Sequence, residues 1–144
     1  MRYEKILTCF LMMLFASRIN AQTYTVEVKV NNVKSNDGYI SIALYNSAKT
    51  FLSDKKEDIF MGKKVKACKG STIVRFENVP PGTYGMALLH DENNNNKMDK
   101  NYLGIPKEGY CFSENAKINF GKPKFEEARF RVHGDVYTTV FMNY

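Results

Sequence analysis

Apolar and polar residues alternate along most of this chain with a period of two, as in strands that bury one face. Val26, Val28 and Val30 fall on one face, with Glu27 and Lys29 between them. Ser35-Asn36-Asp37-Gly38 then marks a turn. From Tyr39 to Tyr45 the alternation resumes, with Ile40, Ile42 and Leu44 together. Ser47 to Phe60 suits a short helix or an irregular crossover, and Lys63 to Ala67 a short strand. Thr72, Val74 and Phe76 share a face opposite Ile73, Arg75 and Glu77. Pro80-Pro81-Gly82 turns the chain into Tyr84 to Leu89, whose near-continuous apolar run predicts a central strand buried on both sides. Asn115 to Phe120 predicts a weak strand. Ala128, Phe130 and Val132 alternate with Arg129, Arg131 and His133, and Gly134-Asp135 turns into a last strand from Val136 to Met142.

About seven short strands between Gly, Pro and Asn turns predict an all-β fold, an antiparallel β-sandwich. No long amphipathic helix, repeat or linker competes with that reading. A membrane barrel fits poorly, because most strands fall short of the roughly 9–11 residues a spanning strand needs.

The first residues break the pattern. Met1 to Lys5 is a short basic start, Ile6 to Ala16 is an apolar run, and Ser17 to Ala21 ends on a small residue. That is the form of a signal peptide over 1–21, too short for a spanning helix, followed by a single β-sandwich domain over 22–144. A retained membrane anchor is the alternative. Cys9 precedes most of the apolar run and follows Thr8, a poor setting for lipidation. Export to the periplasm or the cell exterior follows from this reading.

Losing Arg2, Lys5, Arg18 and Glu4 lowers the formal charge from +6 to +4. The lysines are spread out apart from Lys63, Lys64, Lys66 and Lys69, which reads as solvated surface. No basic motif interleaved with aromatics points to nucleic acid, and a monomer without stable membrane insertion is expected. Cys68 and Cys111 remain after cleavage. In an oxidising compartment such a pair invites a disulfide; two free thiols are the alternative.

The strongest chemical signal is His90-Asp91-Glu92-Asn93-Asn94-Asn95-Asn96-Lys97-Met98-Asp99. Asp91, Asn93, Asn95 and Asp99 occupy the first, third, fifth and ninth places of a loop that wraps a hard cation, and Lys97 would add its carbonyl. Tyr102 stands where such loops carry a bidentate carboxylate, so Glu92 or Glu108 would have to supply a third charge. Calcium held by two carboxylates and two amides would bind weakly, with a Kd of order 10⁻⁴–10⁻³ M. The competing reading is a metal-free turn in which Asn and Asp cap their own backbone.

Catalytic motifs are lacking: no Gly-x-Ser-x-Gly, no His-Glu-x-x-His and no Cys-x-x-Cys. The alternative to a binding or envelope-structure module is a hydrolase using Glu108 with a second carboxylate such as Glu114. Tyr102, Glu108, Tyr110 and Phe112 lie close in sequence among polar residues. They would suit a glycan or extended peptide, or would simply close the end of the sandwich.

Several segments together carry a family resemblance: Pro81-Gly82-Thr83-Tyr84, His90-Asp91-Glu92-Asn93, Lys97, Asp99, Gly104-Ile105-Pro106-Lys107-Glu108-Gly109-Tyr110, Phe112-Ser113, Asn115-Ala116, Pro123 and Phe125-Glu126-Glu127-Ala128. In these the chain resembles a family of small secreted bacterial proteins, domain of unknown function 2141. The resemblance implies export and a β-sandwich akin to transthyretin-like or immunoglobulin-like modules, and no known reaction. The chain departs from the pattern at Asn96 and Cys111, where the family usually has Gly; Asn tolerates a positive φ, so the turn can survive.

If the leader reading holds, N-terminal sequencing of exported protein should begin at Gln22; a retained Met1 would overturn it.

Overall fold

The computed structural model describes residues 22–118 and 121–144; the expected leader, 1–21, lies outside them. Eight strands make up about half of the described chain: β1 (Tyr24–Val33), β2 (Tyr39–Tyr45), β3 (Met61–Lys66), β4 (Gly70–Val79), β5 (Gly82–Asp91), β6 (Gly109–Phe112), β7 (Phe130–Val132) and β8 (Val136–Phe141). One short helix, α1 (Phe125–Ala128), precedes β7. The strands form a three-stranded sheet in the order β4-β1-β8 and a five-stranded sheet in the order β3-β2-β5-β6, with β7 also on β5.

The alternating positions turn one face of each sheet into a shared core. Val26, Val28, Val30, Val74 and Val140 from one sheet meet Ile40, Ile42, Leu44, Met86 and Leu88 from the other. All are buried, and the hydrophobic effect rewards this by roughly 1.5–3 kcal/mol for each large aliphatic side chain. Tyr84 is buried too, and its hydroxyl donates to the Pro80 carbonyl at 2.9 Å, closing the Pro-Pro-Gly turn.

β5 is the central element, as its apolar run implies. β2 pairs antiparallel along Gly85 to Asp91 on one side. The other side is shared end to end: β7 takes Gly82 to Tyr84, and β6 takes Ala87 to His90.

Two expectations change. The sandwich is not wholly antiparallel, because β8 runs parallel to β1 in the register Val26↔Val136. After β7 leaves β5, the short His133–Asp135 turn passes the chain to the other sheet beside β1. There Asp135 Oδ1 accepts the Thr25 N–H at 2.8 Å and sets the register. Residues 115–118 are not a strand; the strand lies earlier, at Gly109–Phe112. Asn115 instead uses its side chain on the β8 edge, with Nδ2 donating to the Thr139 carbonyl and Oδ1 accepting the Phe141 N–H. The segment from Ser47 to Phe60 is the irregular crossover, a set of turns with one 3-10 turn, Lys56–Asp58.

The expected disulfide is not formed, and Cys68 and Cys111 are both free. Cys111 sits on β6 opposite Leu88 and faces the core, whereas Cys68 is exposed in the β3–β4 turn, its N–H donating to Thr72 Oγ1 at 2.9 Å. Burial raises the pKa of the Cys111 thiol to about 12. The thiolate is the reactive form, so native protein should alkylate at Cys68 while Cys111 stays unmodified until denaturant is added. Peptide mass mapping showing equal labelling of both would contradict this placement.

Candidate functional site

The acidic loop leaves the end of β5 and returns into β6. Strand parity puts Tyr84, Met86 and Leu88 in the core and Asp91 on the opposite face, where its own loop covers it. The Asp91 side chain is completely buried, at 0% exposure. A buried carboxylate is tolerated only with full hydrogen bonding. Oδ1 accepts the Asn95 N–H at 2.9 Å, and Oδ2 accepts the Asn96 N–H at 3.0 Å and Lys64 Nζ at 3.0 Å.

To aim those amides inward, the loop takes left-handed backbone at Asn94 and Asn96, both with φ 61°. Asn adopts that region more readily than other non-glycine residues, so Asn96 can replace the expected Gly. The same two residues hold the lysine: Nζ of Lys64 donates to Asn94 Oδ1 at 2.6 Å and Asn96 Oδ1 at 2.7 Å. With Asp91 these oxygens take all three ammonium protons, and the charge also lies 4.9 Å from the Tyr39 ring centre.

On the other side of the loop, Asp99 accepts from Asn93 Nδ2 at 2.6 Å and from Asn95 Nδ2 at 3.0 Å. Asn93 Oδ1 accepts the Asn95 N–H and Asn95 Oδ1 accepts the Lys97 N–H, two successive Asx turns. Thus Asp91, Asn93, Asn95 and Asp99 are gathered as expected. Their amide oxygens, however, face the backbone and their amide nitrogens face Asp99. Lys97 is exposed and contributes its N–H. Among the described residues, no three His, Cys, Asp or Glu side chains converge as a metal-holding group.

Glu108 closes the loop. It is 5% exposed, with Oε1 accepting the Glu92 N–H at 3.0 Å and Oε2 the Asp99 N–H at 3.1 Å. One carboxylate therefore spans the first and last residues after Asp91, and the Lys107 N–H adds a bond to the Asp99 carbonyl at 2.8 Å. Both Glu108 oxygens serve the backbone. Of the other three expected ligand-binding residues, Tyr110 and Phe112 come together and Tyr102 stands apart. Tyr102 is 95% exposed at a loop tip, Tyr110 is half-buried, and Phe112 is buried beneath it with ring centres 6.0 Å apart.

Beneath the loop, His90 is fully buried. Its Nε2 lies 2.9 Å from the Asp37 carbonyl, which requires a proton there, and Nδ1 lies 2.6 Å from the Tyr144 hydroxyl. That hydroxyl accepts the Lys34 N–H at 2.9 Å. His90 so joins the β1–β2 turn to the last residue of the chain. Gly38 makes the turn possible: its φ is +60°, and a Cβ there would lie 1.8 Å from the Asp91 carbonyl oxygen. The ring of Tyr144 packs over Gly109, where a Cβ would come within 2.5 Å of it.

Two participants escaped sequence reasoning. Lys64 looked like one of several surface lysines, and only the β3-β2-β5 order brings it to the acidic loop. Ser113 is buried, accepts the Met86 N–H at 2.8 Å and donates to the Ala128 carbonyl, fastening α1 to β5.

Burial pushes the Asp91 pKa up, but the bonds from Lys64, Asn96 and Asn95 outweigh it and hold the carboxyl below its usual range. A depressed folded pKa stabilises above the unfolded value, about 3.9, and that contribution fades as pH falls through the folded one. Thermal melts of the wild type should therefore lose stability below about pH 4, and Asp91→Asn should lose about 1.5–3 kcal/mol at neutral pH and show a flatter acid limb. An unchanged acid limb in Asp91→Asn would remove Asp91 as its source.

Residues 28–140 match the family described as an uncharacterized protein conserved in bacteria (DUF2141). No curated protein and no solved structure matches the chain.

Proposed function

The chain belongs to this uncharacterized bacterial family, DUF2141, and we propose that it is an exported, non-catalytic β-sandwich module whose 91–99 loop is a cation-holding clasp. Its sandwich is taken as transthyretin-like or immunoglobulin-like, and its role as ligand binding or envelope structure. One observation carries the clasp: the loop already encloses a positive charge, with Lys64 Nζ 3.0 Å from the fully buried Asp91 and within 2.7 Å of Asn94 and Asn96 oxygens. A lysine ammonium is a tethered point charge, so Asp91 has its counter-charge at rest without metal.

Calcium would compete with the ammonium for Asp91, the ligand that the two sets share. Asp91 and Asp99 would supply charge, Asn93 and Asn95 would turn their amide oxygens inward, and the Lys97 carbonyl would complete the set. Since two carboxylates must draw the ion against a resident ammonium, a Kd of order 10⁻³ M is expected. Magnesium, which demands a stricter octahedron, should do less.

Melting of purified protein with calcium tests this. At ten times Kd, calcium should stabilise the wild type by about 1.4 kcal/mol. Lys64→Met should melt lower without calcium, because Asp91 loses its counter-charge, and should show the larger calcium shift. If about 10 mM calcium, well above the weak range for such loops, moves neither protein, the loop is a lysine-neutralised turn only.

A further inference from the structure

Beyond the acidic clasp, the same β5–β6 connection carries a separate feature at its tip. Tyr102, Leu103 and Ile105 are 95%, 67% and 55% exposed, a cluster of three large apolar side chains on four consecutive residues. The tip is built, not loose. Lys100 bridges Pro106, the Asn101 N–H donates to the Ile105 carbonyl at 2.9 Å, and the Gly104 N–H donates to the Asn101 carbonyl at 2.9 Å. Asn101 Oδ1 then accepts both the Leu103 N–H at 2.9 Å and the Ile105 N–H at 3.0 Å. Gly104, with φ +80°, lets the chain reverse. Every one of these bonds holds apolar side chains out in water, where they gain nothing from the fold.

The charge around the tip is one-sided. Three carboxylates of this connection face inward, Asp91 toward Lys64, Glu108 toward two backbone amides and Asp99 toward two side-chain amides, and the fourth, Glu92, lies 3.9 Å from Lys34. Lys97, Lys100 and Lys107 are exposed, and none of them is in an ion pair among the described residues. Lys66 and Lys69 end the neighbouring β3 and its turn at the same end of the sandwich, since Tyr39 pairs with both Lys66 and Asp91. An apolar point with an amphipathic Tyr beside it, ringed by unpaired lysines, matches an anionic lipid surface, with side chains seated at the acyl boundary and ammonium groups among the headgroups.

We infer that the 100–106 tip docks this protein reversibly on an anionic lipid surface. Three side chains reach only the interfacial layer, so the contact is peripheral and salt-sensitive. The site is independent of calcium held by the clasp, and the two are separated by working in chelator.

Sedimentation of the purified protein with phosphatidylglycerol-containing and pure phosphatidylcholine vesicles, in EDTA, tests the inference. Binding should be confined to the anionic vesicles. Each of Lys97→Gln and Lys100→Gln should weaken it about fivefold, from roughly 1 kcal/mol per basic residue near the surface. About 0.5 M NaCl, which shortens screening to roughly 4 Å, should abolish it. The triple change Tyr102→Ser, Leu103→Ser, Ile105→Ser should remove it while shifting the melting temperature little, since more than half of each residue already lies in water. The chain has no Trp, so Leu103→Trp gives a single reporter whose emission should shift to the blue on anionic vesicles only. Equal binding to neutral vesicles, full binding by the triple variant, or no shift of the reporter would each overturn lipid docking; the last with no vesicle binding would leave a protein partner as occupant.

Discussion

Two carboxylates taken out of water organise one whole end of this molecule. Asp91 and Glu108 are both buried, and a buried charge is stable only where donors surround it. Asp91 gathers two loop amides and the Lys64 ammonium; Glu108 gathers the amides at the two ends of the same loop. The polypeptide between them has little freedom left. Left-handed backbone at Asn94 and Asn96, with the two Asx turns beside it, brings the loop donors to those oxygens. The clasp ties three strands as well, because Lys64 comes from β3, Asp91 ends β5 and Glu108 immediately precedes β6.

Alternation was a sound guide wherever a strand buries one face. β1, β2, β4 and β8 each show their inward residues directly in sequence, and the apolar run of β5 announced its central place. Alternation says nothing about direction, so the parallel pairing of β8 with β1 was hidden; it depends on the crossover from β7 between sheets. β6 escaped for another reason. It is only four residues, and Glu108, Gly109 and Tyr110 look like loop chemistry until β5 is seen offering an open edge. Ser113 and Asn115 similarly look like turn residues, yet they act at long range on Met86, Ala128 and β8.

At the candidate site, spacing identified the right residues but not what they face. The positions of Asp91, Asn93, Asn95 and Asp99 do bring them together, because alternate residues of a tight loop point inward. Whether an Asn offers its oxygen or its nitrogen depends on the neighbouring backbone, and here the amide N–H groups of Asn95 and Lys97 claim the oxygens. Lys64 was invisible as a partner because it is 27 residues from Asp91 and meets it only through the β3–β2–β5 pairing. Tyr110 and Phe112, two apart on β6, do share a face, whereas Tyr102 stands out at the loop tip and Glu108 spends its carboxylate on backbone amides.

The side chain of Asn115 lends its amide to the outer rim of β8. A carboxamide carries one donor group and one acceptor, the same pair a neighbouring peptide unit would present, and here it meets the Thr139 carbonyl and the Phe141 N–H. Tyr137 and Phe141 are exposed on that strand, so an open rim would be a template for recruiting a second chain into an extended, self-propagating sheet. One asparagine caps the final residues of that template, so a second chain would find part of the rim already taken.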